Sequence, residues 1–495
     1  MDRSAGILLH VTSLPSRGGI GDLGPEAHRY VDWLADAGVG WWQTLPLNPP
    51  GSGRSPYSAT STFAGSPWVI SPEGLVEDGL LGADELDGLP SAVGTRIDFT
   101  AVLPRKEALL AMASRRLAED PPGALTVELE RFRDAEAAWL SDFALFSALK
   151  EAHGGESWWR WPEPLARHDE DALAAWHDQN RDAVERIEIL QMLFFRQLEA
   201  LRRHAGERGV RILGDLPFFV ALDSAEVWAR PGLFKLDGDR RPKVVAGVPP
   251  DYFSDTGQLW GNPVYDWQAM VAEGYEWWIR RLGQALRFAD AVRLDHFRAF
   301  AAAWEVPAEH VVATHGTWVP GPGRALFDAA RAELGDLPLV AEDLGEITPD
   351  VIELRRELGL PGMAVLHFGF QPEPRSTFIP YAHARDLVVY TGTHDNNTTA
   401  GWYADDASDA ERDFLRRYAA SDGREIHWDL IRLALGSVAD LAIVPHQDLV
   451  GLGSDDRMNR PGVSDGNWDF RITGDMLADG IRSRLAEMVW IYGRR

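Results

Sequence analysis

Five apolar runs in this chain lead into carboxylates. Val210-Arg211-Ile212-Leu213-Gly214-Asp215 ends in one acid, and Asp290-Ala291-Val292-Arg293-Leu294-Asp295 in another. Leu337-Pro338-Leu339-Val340-Ala341-Glu342-Asp343 ends in two, and Leu387-Val388-Val389-Tyr390-Thr391-Gly392-Thr393-His394-Asp395 in a His-Asp pair. The last, Leu441-Ala442-Ile443-Val444-Pro445, runs on to Gln447-Asp448. Short runs of Val, Ile and Leu bounded by turn residues read as buried strands. Helical patterns such as Ala325 to Leu334 and Pro349 to Leu358 lie between successive members. Strand alternating with helix implies a parallel sheet. Closed as a (β/α)8 barrel, that sheet gathers the C-terminal strand ends, and with them the acids, at one mouth.

The earlier part of the chain fits the same scheme. Ile7 to Val11 and Trp41 to Leu45 read as strands, with a helix between them that begins near Pro25, a residue suited to a first helical turn. Residues 46–97 are rich in Pro, Gly and Ser and read as a loop excursion, whereas residues 104–206 carry a helical pattern too long for a simple barrel connection. The expected organisation is one catalytic barrel over residues 1–495, swollen by insertions, with no separate C-terminal β-sandwich. A plain barrel needs only about 250 residues.

A formal charge of −26 excludes a basic surface, so neither nucleic acid nor anionic membrane is an expected partner. The absence of cysteine rules out disulfides, thiolate nucleophiles and Cys-held metals. No apolar run approaches a membrane span, and no basic-then-apolar start marks a secretory signal. The expected location is therefore the cytoplasm. Gly19-Ile20-Gly21-Asp22-Leu23-Gly24 has the letters of a dinucleotide fingerprint. No strand runs directly into it and no acid follows at the ribose distance, so it reads as a turn. Neither a phosphate-binding loop nor a zinc helix is present. The expected site has no cofactor and no metal.

Cleaving a glycosidic bond takes one carboxyl to protonate the leaving oxygen and a second carboxylate to attack or stabilise the sugar cation. Asp295, Glu342 and Asp395 are the candidates, each interval between them holding one helix and a loop. A single strand-end acid is more often a helix N-cap or a metal ligand at a loop start than a catalytic group. Four in succession, with Asp295 and Asp395 each beside a His, favour the catalytic reading. Arg293 shares a strand face with Asp295, because side chains alternate, and a cation there keeps a nucleophile ionised. Asp343 beside Glu342 is expected to raise one carboxyl toward neutrality, which suits a proton donor. His296 and His394 can donate to sugar hydroxyls. The 20 tryptophans bring many flat, electron-rich faces of the kind that lie against sugar rings.

Read together, Arg293-Leu294-Asp295-His296-Phe297-Arg298, Ala341-Glu342-Asp343-Leu344-Gly345 and Thr391-Gly392-Thr393-His394-Asp395-Asn396-Asn397 resemble the 4-α-glucanotransferases of glycoside hydrolase family seventy-seven, in the α-amylase clan. The likeness runs nearly end to end, through His10-Val11-Thr12-Ser13-Leu14-Pro15, Ser55-Pro56-Tyr57-Ser58, Gly214-Asp215-Leu216-Pro217, Pro249-Pro250-Asp251-Tyr252-Phe253, Gly257-Gln258-Leu259-Trp260-Gly261-Asn262-Pro263, Arg457-Met458-Asn459 and Gly466-Asn467-Trp468. The resemblance implies Asp295 as nucleophile, Glu342 as general acid/base and Asp395 as transition-state stabiliser. It places Arg293, Asp215, His296 and His394 around the sugar in the cleavage subsite. Tyr57, Asp251, Phe253, Gln258 and Trp260 match donor- and acceptor-site positions, the last four on a loop over the cleft within residues 223–265.

The implied reaction is retaining transfer of α-1,4-glucan segments between maltooligosaccharides or starch- or glycogen-derived glucans, with glucose released from small donors and usable as acceptor, and with cyclic glucans as further products. The rivals are a hydrolase of the same clan and a non-catalytic glucan-binding protein on a decayed barrel. Ala299, His367, Gly369 and His446 depart from the family pattern, and Phe219 stands where Tyr or Phe occurs. These positions are expected to bear on substrate length rather than reaction type.

Overall fold

The structure, a computed structural model, describes residues 2–51, 53–90, 94–119, 123–250, 255–345, 347–371, 376–463 and 465–495. The strands in chain order are β1 (Ser4–Leu8), β2 (Trp41–Gln43), β3 (Arg211–Leu216), β4 (Val244–Val248), β5 (Gln258–Pro263), β6 (Ala291–Leu294), β7 (Ala302–Pro307), β8 (Thr317–Pro320), β9 (Leu339–Ala341), β10 (Gly362–Val365), β11 (Leu387–Tyr390) and β12 (Leu441–Pro445).

Eight of them pair in parallel in the order β10-β11-β12-β1-β2-β3-β6-β9. The ring closes where the Ala341 N–H donates to the Pro361 carbonyl at 2.9 Å, next to β10. The strands follow one another around the ring in chain order, which makes this a (β/α)8 barrel. Its strands are largely apolar because both faces are covered, as in β12, where all five residues are buried. No strand follows Pro445 among the described residues; the chain ends on the helix Asp479–Ile491.

One member of the ring, β10, has no counterpart among the strands expected from sequence. It leads into Leu366-His367 rather than a carboxylate, so it lacks the mark that singles out the five carboxylate-ended strands. Its presence corrects the spacing of the acids. Asp295 and Glu342 follow adjacent strands, β6 and β9, but β10 intervenes before the strand that leads to Asp395.

Two excursions shape the mouth. Between β2 and β3 the helices Phe99–Glu119, Gly123–Glu136, Leu140–Ala152 and Glu170–Gln179 pack around the helix Arg181–Glu207. The last helix repeats apolar residues every third or fourth position, burying Val184, Ile187, Leu190, Phe194, Leu198 and Leu201. The second excursion is a four-stranded antiparallel sheet in the order β5-β4-β7-β8. It joins two separate connections, one after β3 and one after β6, and its edge strand β5 carries Gln258 and Trp260.

Eleven of the 20 tryptophans are buried. At about 200 Å² each, a buried Trp contributes about 5 kcal/mol of hydrophobic stabilisation as an upper figure. Core filling thus accounts for just over half of the tryptophans. No helix among the described residues is long and apolar enough to cross a membrane.

Candidate active site

At the C-terminal strand ends opens a cleft of about 1220 Å³. Its floor begins with strand register. Asp215 on β3 lies directly opposite Arg293 on β6, so their side chains leave the sheet on the same side. Arg293 Nη1 reaches both carboxylate oxygens of Asp215 at 2.9 and 2.8 Å, and Nη2 reaches Asp295 Oδ1 at 2.9 Å. One guanidinium therefore bridges two carboxylates, a geometry that its planar fork permits. Burial alone would lower the Arg293 pKa, but Asp215 and Asp295 overcome this and hold it well above the ordinary value. Asp215 lies beneath the cleft rather than in its lining, with its side chain fully buried. Burial pushes the Asp215 carboxyl up, while Arg293 and the donated Tyr57 hydroxyl, 2.9 Å away, pull against it.

Glu342 follows β9, and both of its oxygens are held by the backbone. The His296 N–H donates to Oε2 at 2.8 Å and the Leu344 N–H to Oε1 at 2.9 Å. Burial, reinforced by the Asp295 charge, nevertheless pushes this carboxyl up to about 7 against the pull of Arg293 and the two backbone donors. The sequence-based reason for that shift is wrong: Asp343 is not its cause. Asp343 is tied elsewhere, Oδ1 accepting the Met363 N–H at 2.8 Å and Oδ2 lying 3.0 Å from Arg355 Nε.

Asp395 stands at the mouth with its side chain about half exposed. Asn459 Nδ2 donates to Oδ1 at 2.7 Å, and Arg457 Nη2 donates to the Asp395 carbonyl at 2.8 Å. His394 Nε2 lies 3.3 Å from Asp395 Oδ2, and its ring stacks on Tyr57 with centroids 4.9 Å apart. Burial lowers the His394 pKa and takes that of His296 down to about 4. Both imidazoles are thus neutral near pH 7. His296 adopts a left-handed backbone, φ 52°, which turns its N–H toward Glu342. Its Nε2 is without a hydrogen-bond partner among the described residues. Trp260 stands edge-on to its ring, with centroids 4.7 Å apart, and donates from Nε1 to Gln258 Oε1 at 3.2 Å.

The cleft lining therefore brings together Tyr57, Gln258, Trp260, Arg293, Asp295, His296, Glu342, His394 and Asp395. Asp251 and Phe253 lie outside the described residues. Sequence reasoning did not single out Asn459 and Trp468 as site residues, although both sit in motifs already quoted. It gave no sign at all of Trp159, Phe368 or Phe378, which also line the cleft. Of the departures from the family pattern only Phe219 lines it. Ala299, His367, Gly369 and His446 are buried elsewhere. His446 meets the Tyr30 hydroxyl at 3.1 Å, and His367 stacks on Trp402 at 4.8 Å. These four therefore pack inside the protein rather than in the cleft lining. Among the described residues no group of three or more His, Asp or Glu is arranged to hold a metal.

Fold and cleft together define a (β/α)8-barrel enzyme with carboxylates gathered at its C-terminal mouth. Residues 9–477 match the family model described as 4-alpha-glucanotransferase, glycoside hydrolase family seventy-seven. The chain is 46% identical over 496 residues to a 4-alpha-glucanotransferase of Synechocystis sp., covering 100% of this chain and 98% of that protein. It is 46% identical over 497 residues to the Thermus thermophilus 4-alpha-glucanotransferase, covering 99% and 98%. The amylomaltase of Streptococcus agalactiae, solved in complex with acarbose, superposes with a TM-score of 0.95 at 34% identity over 99% of both chains. The chain belongs to the 4-alpha-glucanotransferases of this family, and its activity is that of a 4-α-glucanotransferase.

Proposed function

We propose that the protein transfers α-1,4-glucan segments between maltooligosaccharides by a retaining double displacement. Asp295 attacks the anomeric carbon of the donor as Glu342 gives its proton to the departing glycosidic oxygen, leaving a glucosyl ester on Asp295. The 4-hydroxyl of an acceptor sugar then gives its proton to the Glu342 carboxylate and attacks the same carbon, releasing Asp295. Asp395 stabilises the sugar cation through the ring hydroxyls. Arg293, held by Asp215, sets its guanidinium against Asp295, and the neutral His296 and His394 offer hydrogen bonds to the sugar.

The observation that carries this reading is the unequal treatment of neighbouring acids. Asp295 shares a buried guanidinium, while Glu342 is raised to about 7. Two carboxyls set apart in this way divide into nucleophile and proton donor. Transfer rather than hydrolysis requires an acceptor sugar to displace water. The aromatic rings of Trp260 and Phe219 beside His296 favour that exchange.

The substrates are maltooligosaccharides and starch- or glycogen-derived α-1,4-glucans. Glucose is the small product and an acceptor, and cyclic glucans form when a long donor's own end serves as acceptor. Maltotriose as sole substrate tests the reading. Longer oligomers together with glucose are the expected products; shortened products alone would replace it with hydrolysis.

A further inference from the structure

The cleft is larger than the acids require. Its lining continues onto the loop after β3, through Ala221, Leu222 and Asp223, and reaches Trp159 in the helical insertion. Trp159 is 43% exposed, whereas Trp158 and Trp161 are 1% and 4% exposed. The run Trp158-Trp159-Arg160-Trp161 explains the difference. Residues Trp158–Arg160 form a 3-10 turn, in which side chains three apart fall on the same side. Residues 158 and 161 point inward, and the one between them is left outside.

This turn is built to stay where it is. Trp158 Nε1 donates to the Leu222 carbonyl at 2.8 Å, and its N–H donates to Asp223 Oδ1 at 3.3 Å. Lys150 Nζ holds the other Asp223 oxygen at 2.6 Å. Trp161 packs against Phe146 and Trp228 at 5.5 and 5.8 Å. Trp158 stands edge-on beneath Trp159, with centroids 5.4 Å apart. The exposed indole is therefore fixed to the loop that follows a barrel strand, and it faces the cleft rather than open surface.

Resting on the glucan-transfer reading above, we propose that Trp159 is a distal sugar platform, stacking on a glucosyl unit too far along the chain to touch the acids. An indole face is apolar and electron-rich and fits the C–H face of a pyranose. Because the turn is already ordered, little conformational entropy is lost on binding. Short chains do not reach the platform and long ones do, so Trp159 sets a preference for longer glucans.

The test compares kcat/KM on maltoheptaose and on maltotriose for wild type, W159A and W159F. In W159A the preference for the longer chain falls about tenfold, equivalent to about 1.4 kcal/mol of lost binding. W159F, which keeps an aromatic face, retains most of it. The same contrast appears by calorimetry in an E342Q background, where the two sugars bind without turnover. An unchanged chain-length preference in W159A, by rate and by binding, would overturn the platform while leaving glucan transfer intact. A wild type that elongates neither sugar would overturn both.

Discussion

Arg293 Nη2 lies 2.9 Å from Asp295 Oδ1, and both residues belong to the same strand end. The other arm of the guanidinium is committed to Asp215, whose side chain has no exposure. The arginine is thus both a structural bolt between β3 and β6 and the counter-charge of Asp295, the proposed nucleophile. Removing it strands a buried charge. R293A is expected to lose about 3–5 kcal/mol of stability and activity by at least about a hundredfold. R293K keeps the charge but not the fork, so it recovers part of the stability and little of the activity. Urea melts beside initial rates on maltotriose check both.

The raised Glu342 makes a pH prediction with a definite sign. In the proposed mechanism donor cleavage needs the protonated carboxyl, so its rate is expected to fall as pH rises through about 7. Stability has the same direction. A carboxyl raised on folding contributes fully below its unfolded pKa, and that contribution is lost as pH rises toward the folded value. E342Q removes the titrating group. It should lose activity by about a thousandfold or more, and it should melt higher than wild type at pH 8 but not at pH 4. Thermal melts at the two pH values decide.

Asn459 holds Asp395 Oδ1 at 2.7 Å. Because Asp395 is half exposed, its orientation depends on this bond and on the neighbouring His394. N459A should lower kcat about tenfold, the scale of one hydrogen bond to a charged group, with a smaller change in KM. N459D sets a carboxylate against Asp395, so it should lose more, with partial recovery as pH is lowered. Rates across pH on a fixed donor test this.

Behind the Asp395 turn, Asp448 accepts from the Thr391 and Thr399 hydroxyls at 2.6 and 2.7 Å and from the Thr399 N–H at 2.7 Å. His367 Nε2 lies 3.0 Å from the Thr399 hydroxyl. That hydroxyl is committed to Asp448, so His367 must be the donor. Glutamine can supply the same N–H: H367Q should stay within about 1 kcal/mol of wild type, while H367L, which leaves the hydroxyl unmet, should lose about 1–3 kcal/mol. Chemical denaturation of the two variants separates these outcomes.

Most of the barrel is legible in the sequence because its strands are apolar runs that end in polar chemistry. β10 escapes because its short run Gly362–Val365 has no carboxylate at its end to mark it. The four antiparallel strands over the mouth escape because their pairing joins β4 and β5 to β7 and β8 across the intervening β6, a non-local contact that periodicity does not encode. Arg293 and Asp295 are readable from strand alternation alone. The Asp215 partnership is not, because it depends on inter-strand register. The Glu342 shift was expected, but for the wrong reason: adjacency in sequence pointed to Asp343, whereas burial and Asp295 cause it. Trp159 stands in a tryptophan-rich run, and only the 3-10 turn reveals which of the three faces the cleft.

The most direct measurement of the central claim is covalent trapping. The enzyme is incubated with a slow-reacting fluorinated α-glucosyl fluoride, digested, and its peptides are mapped by mass spectrometry. One glucosyl adduct on the peptide carrying Asp295, absent in D295N and discharged when maltose is added, is the predicted result. An adduct on a peptide carrying Glu342 or Asp395, or turnover of the donor by D295N at the wild-type rate, would contradict it.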